Sequence, residues 1–162
     1  MDFNKAIFLD IDGVIATIHE FNMNRYAPHY LHQYDIYPFN QACVKVLNEL
    51  LALTKAEIII SSDWRSIFTT EELNDIFKIN GVKQIPVEAT ADFSERFTGK
   101  SLEQIRTLEI ESFLREHQVA NFVVVDDLDM SEGFGDSFIQ CLNIKEGIKE
   151  AGLINRIIKV LL

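Results

Sequence analysis

An α/β fold is predicted for this chain: three layers, with a doubly wound and mainly parallel sheet at the centre. Three observations predict it. Short runs of consecutive apolar residues, largely β-branched or aromatic, recur along the sequence, as strands covered on both faces require. Longer stretches with helical spacing alternate with them. No internal repeat or low-complexity tract breaks the alternation. At 162 residues the chain suits one domain with a proper core, 1–162.

The first strand is read at Ala6–Asp10, an apolar run closed by Asp10-Ile11-Asp12-Gly13. Two carboxylates two positions apart at the mouth of a buried strand raise each other's pKa unless a cation or a chemical task compensates. The stretch Ala16–Pro38 departs from the alternation and reads as a short flap or lid beside that pair. Asn40 is placed to cap a helix running to Leu53, with Val44, Leu47, Leu50 and Leu51 on one side. Glu57–Ser61 is the second strand, followed by Ser62-Asp63-Trp64-Arg65. Thr69 or Thr70 before Glu71-Glu72 starts a helix through Leu73–Ile79, stopped by Asn80-Gly81. Val82–Ile85 reads as a weak strand. Ser101–His117 is helical, with Ile105, Leu108, Ile110, Phe113 and Leu114 as its apolar residues. Phe122–Asp126 is the third clear strand and leads into Asp127 and Asp129. Phe138–Leu142 reads as another strand, and Gly152–Leu162 as a last helix.

Ligands of such sheets collect at the carboxyl ends of the strands. There the sequence delivers Asp10 and Asp12, then Ser61 and Ser62, then Asp126 and Asp127. Independent apolar runs that each carry carboxylates or hydroxyls to one edge point to an active site.

Composition narrows the classes. Hydrophobic residues make up 48% and charged residues 25%, as in a globular protein. The net charge of -10 argues against non-specific nucleic-acid binding, which needs Lys and Arg at phosphates. Cys43 and Cys141 form neither a CxxC pair nor a disulfide framework. With no basic and apolar leader at Met1-Asp2-Phe3-Asn4, a reducing, cytoplasmic setting is expected. The apolar stretch Ile157–Leu162 is too short to span a bilayer, so no membrane role is expected.

The strand-end motifs resemble those of the haloacid dehalogenase (HAD) superfamily. Phe8-Leu9-Asp10-Ile11-Asp12-Gly13-Val14 is similar to its first motif, Ile58-Ile59-Ile60-Ser61-Ser62 to its second and Val123-Val124-Val125-Asp126-Asp127 to its fourth, in order. More narrowly, Ser61-Ser62-Asp63-Trp64-Arg65, Arg106-Thr107-Leu108-Glu109-Ile110 and Asp126-Asp127 resemble the small HAD domains associated with RNA-repair proteins. The resemblance implies a HAD-like Rossmannoid fold with a minimal cap. It also implies a Mg²⁺-dependent phosphomonoester hydrolase with Asp10 as nucleophile and Asp12 as general acid and base. Ser61, with Ser62 beside it, would bind phosphoryl oxygens. Asp126, supported by Asp127, would hold Mg²⁺ with Asp10 and the backbone carbonyl of Asp12. The third motif, a cation that neutralises the phosphoryl group, falls on Arg106 or Lys100.

Other readings stand beside this one. Trp64 fits core packing as well as substrate contact, and Arg65 fits a carboxylate partner as well as substrate. The domain could instead be a phosphate- and Mg²⁺-binding regulatory module with little turnover. The substrate is expected to be a phosphorylated small molecule or the phosphorylated end of a larger one; the net charge disfavours nucleic acid. The sequence leaves the oligomeric state open. His19, His29 and His32 have no metal-site spacing. Gly99-Lys100-Ser101 lacks the earlier glycine of a P-loop, where Ser94 stands. Asp127-Leu128-Asp129-Met130-Ser131 meets Glu132 where a calcium loop needs glycine.

Overall fold

The computed structural model describes residues 1–17 and 39–162. Most of the expected flap therefore lies outside the described residues, as do His19, His29 and His32. Ala16 and Thr17, the described start of that stretch, are buried.

The central strand β1 (Asp2–Leu9) is flanked by β2 (Glu57–Ile60) and β4 (Gln118–Asp126), and β3 (Glu88–Ala89) and β5 (Phe138–Gln140) complete the sheet in the order β3-β2-β1-β4-β5. Every pairing is parallel. Between the strands run α1 (Gln41–Thr54), α2 (Thr70–Ile79) and α3 (Leu102–Glu116); α4 (Ser131–Phe134) and α5 (Leu153–Leu161) follow β4 and β5. None of the helices is long and apolar enough to cross a membrane, among the described residues.

Strand alternation sorts the core into two layers. Ile7 and Leu9, with Ile58, Ile60, Val123, Val125 and Ile139, face α1, α2 and α5. Ala6 and Phe8, with Ile59, Val124 and Phe138, face Ile110 and Phe113 of α3. Both faces are covered, so consecutive positions are apolar.

The helix starts follow their capping chemistry. Asn40 caps α1 by accepting from the N–H groups of Ala42 and Cys43. Thr69 with Glu72 and Ser101 with Gln104 form full capping boxes at α2 and α3.

Four strand readings need correction. Val82–Ile85 is not a strand: the Val82 N–H bonds the Phe77 carbonyl as the chain leaves α2, and the edge strand lies at Glu88–Ala89. Val82 is apolar because it is buried in the core, at 4% exposure. β5 stops at Gln140, and Leu142 is exposed. β1 and β4 begin four residues earlier than their apolar runs, because Asp2 and Phe3 pair with Gln118 and Val119.

Candidate active site

The sheet order reverses at β1, so the crevice between the carboxyl ends of β1 and β4 is the topological switch point. Register brings the motif residues there to one level. The Asp10 N–H bonds the Val125 carbonyl at 3.0 Å, and the Ser61 N–H bonds the Leu9 carbonyl at 3.0 Å. Asp126 ends β4 beside them.

Carboxylate oxygens of Asp10, Asp126 and Asp127 lie within 4.8 Å of one another. Asp10 and Asp126 are buried. Burial pushes Asp10 well above the ordinary carboxylate range and the neighbouring Asp126 pushes it further, against the pull of Arg106. Burial likewise raises Asp126 to about 6, against Arg106 and the N–H of Leu128. Gly13 makes the approach of Asp127 feasible. It has φ +75, and a Cβ there would stand 3.0 Å from Asp127 Oδ2.

Arg106 projects from α3 into this cluster. Its Nη1 lies 3.0 Å from Asp126 Oδ2 and 3.3 Å from Asp10 Oδ1, and its Nη2 lies 2.8 Å from Asp63 Oδ1. The surrounding carboxylates outweigh burial and hold the guanidinium firmly charged. Lys100 is not brought to the cluster. It is exposed ahead of α3 and lines a 260 Å³ surface cavity with Gln104, Thr107 and Asp129.

The two serines differ. Ser61 is fully buried and its hydroxyl has no partner among the described residues, a costly state unless a ligand supplies one. Ser62 is engaged: its hydroxyl bonds the Asp10 carboxylate and accepts from the Trp64 N–H at 3.4 Å.

Asp12 stands outside the carboxylate cluster, at the solvent rim. Its Oδ2 accepts from Trp64 Nε1 at 2.8 Å. Desolvation raises its pKa, the indole bond lowers it, and Asp127 and Asp63 add to the rise.

Trp64 and Arg65, the two candidate substrate contacts, both make contacts within the protein. The Trp64 ring is buried between Phe39 and Phe68, at centroid distances of 6.0 and 5.6 Å. Arg65 turns inward, its Nη2 2.5 Å from Glu109 Oε2 and its Nη1 2.7 Å from the Ser62 carbonyl. Glu109 Oε1 also accepts from the Phe93 N–H at 2.8 Å.

Asp63 and Glu109 are participants that the motif reading quoted without a role. The spacing of Arg106 and Glu109, three apart on a helix, is the one signal that both face the same way.

No curated protein and no solved structure matches the chain. A family model described as the HAD domain in Swiss Army Knife RNA repair proteins matches residues 6–152, nearly the whole length, and the chain belongs to that HAD family.

Proposed function

We propose that the chain is a Mg²⁺-dependent phosphomonoester hydrolase working through an aspartyl-phosphate on Asp10. Membership of the HAD superfamily supports phosphatase-type chemistry in general terms. The observation that carries the finer reading is the carboxylate cluster of Asp10, Asp126 and Asp127.

The donor set fits the ion. All three side chains offer hard oxygen ligands, which suit Mg²⁺. Three carboxylates gather beside the one guanidinium of Arg106, among the described residues, so the ionised cluster carries more negative charge than Arg106 offsets. Asp10, Asp126 and Asp127 would hold the cation, with the backbone carbonyl of Asp12. When bound, it supplies charge neutralisation and orients a phosphoryl group.

Asp10 attacks phosphorus in line and the ester P–O bond breaks. Asp12 gives its proton to the departing oxygen. Asp12 then takes a proton from water as that water attacks the aspartyl-phosphate, which frees phosphate and restores Asp10. Ser61 donates its hydroxyl, unpartnered among the described residues, to a phosphoryl oxygen. Arg106 balances charge on the transferring group.

The test is release of phosphate from 4-nitrophenyl phosphate. Asp10→Asn and chelation are each expected to lower kcat by about a thousandfold or more, as removal of a nucleophile does. Activity that survives both would exclude the mechanism. A second reading has its own support. The family description names RNA repair proteins, which favours a phosphorylated nucleic-acid end as substrate despite the net charge of -10. Oligonucleotides with 3′- or 5′-phosphates, assayed beside sugar phosphates and nucleotides, separate the two substrate classes.

A further inference from the structure

We propose that Trp64 is the positioning residue for Asp12: its indole N–H fixes which carboxyl oxygen carries the proton that goes to the leaving group. The inference rests on the reading of Asp12 as general acid.

Asp12 has a short side chain exposed at the rim. In water such a group changes rotamer freely. Among the described residues one hydrogen bond pins it, the 2.8 Å bond from Trp64 Nε1 to Oδ2. An indole N–H only donates, so its partner oxygen must accept. The carbonyl oxygen of a protonated carboxyl is a stronger acceptor than its hydroxyl oxygen, so the indole bond favours Oδ2 as the carbonyl and places the proton of Asp12 on Oδ1. Among the described residues, Oδ1 takes no hydrogen bond. The bond thus sorts the two oxygens into one that anchors and one that transfers.

The anchor is itself rigid. The Trp64 ring is 5% exposed, packed against Phe39 and Phe68. Its carbonyl accepts from the N–H groups of Ile67 and Phe68 at 3.0 and 2.9 Å. The neighbouring Arg65 is tied to Glu109 on α3. The residue before Trp64, Asp63, accepts from Arg106. One short 3₁₀ turn, Asp63–Ser66, therefore orients the acid and the cation together.

Trp64→Phe tests this, because it keeps a ring between Phe39 and Phe68 and deletes only the donor. The quantity to measure is kcat/KM, which covers events up to leaving-group departure. Substrates are 4-nitrophenyl phosphate, whose leaving group needs little protonation, and a simple alkyl phosphate, whose leaving group needs much. General acids contribute roughly 10²–10⁴-fold. Loss on the alkyl ester should exceed loss on the aryl ester by about tenfold or more, and Asp12→Asn should show the same grading. Equal losses on both esters in Trp64→Phe would overturn the inference and leave packing as the role of the ring. If Asp12→Asn also lost activity equally on both, the assignment of Asp12 as acid would fail first and the inference with it.

A second measurement needs no turnover. Trp64 is the single tryptophan of the chain, so one indole N–H signal appears in a ¹⁵N spectrum. Asp12→Ala should shift that proton upfield and speed its exchange with solvent. A signal unmoved by Asp12→Ala would overturn the hydrogen bond itself.

Discussion

Asp10 and Asp126 are buried carboxylates whose charge is offset, among the described residues, by the single guanidinium of Arg106. Their burial has a pH signature. Folded Asp126 titrates at about 6, against about 3.9 for an unfolded aspartate. Between those values the folded state binds more protons, so this group's contribution to stability falls as pH rises. In chelator, the stability of the native protein relative to Asp126→Asn should therefore drop from about pH 4 to about pH 6. The release of Asp10 from its neighbour in the variant acts in the same direction. Denaturant titrations at stepped pH check this, and a relative stability that climbs over that window would contradict it. Strand-end position alone brought Asp10, Ser61 and Asp126 into view in the sequence. It could not show that, among the described residues, Ser61 is unpartnered while Ser62 is bonded to Asp10, because that difference depends on side-chain direction at the sheet edge.

Elements here are held by pairings between segments distant in sequence, and the ion pair of Arg65 and Glu109 is the clearest example. It joins the 3₁₀ turn after β2 to α3, with side chains 7% and 3% exposed, and Glu109 also holds the N–H of Phe93. Arg65→Met leaves a buried carboxylate unpaired and should cost about 3–5 kcal/mol. The double variant Arg65→Met, Glu109→Leu removes both charges and should recover most of that loss. Thermal or urea unfolding measures the cycle; additive losses would mean that the pair is not coupled. The same helix explains why the sequence reading of its buried face was incomplete. The buried residues are Ile105, Arg106, Glu109, Ile110 and Phe113, whereas apolar periodicity favoured Leu108 and Leu114, which are only half-buried. Two charged residues occupy core positions because their partners arrive from other elements, and no local pattern encodes that. β3 was missed for a related reason. Glu88 and Ala89 have no strand character of their own and are extended through pairing with Ile59 and Ile60.

At the scale of the whole molecule, the parallel sheet gathers acidic side chains at one edge of a chain with net charge -10. The alternation of apolar runs and helical spacing made this architecture legible, since burial on both sheet faces leaves long apolar strands. Concentrated like charge weakens the folded state, and a cation that binds only the folded cluster should strengthen it. At a free concentration of about 100 times Kd, one bound ion adds roughly 2.7 kcal/mol. For a domain of this size each kcal/mol raises Tm by roughly 2–4 °C, so Mg²⁺ should raise Tm by about 5–10 °C, reversibly with chelator. Screening of the net charge would also stabilise the protein, and NaCl at matched ionic strength measures that part alone. Asp127→Asn separates the effects further. It removes a ligand oxygen from the half-buried member of the cluster and leaves Asp10, Asp126 and Arg106 in place. The variant should respond to NaCl as the native protein does and lose most of the Mg²⁺-specific shift. An equal Mg²⁺ response in both proteins would mean that the carboxylates do not act together on one ion.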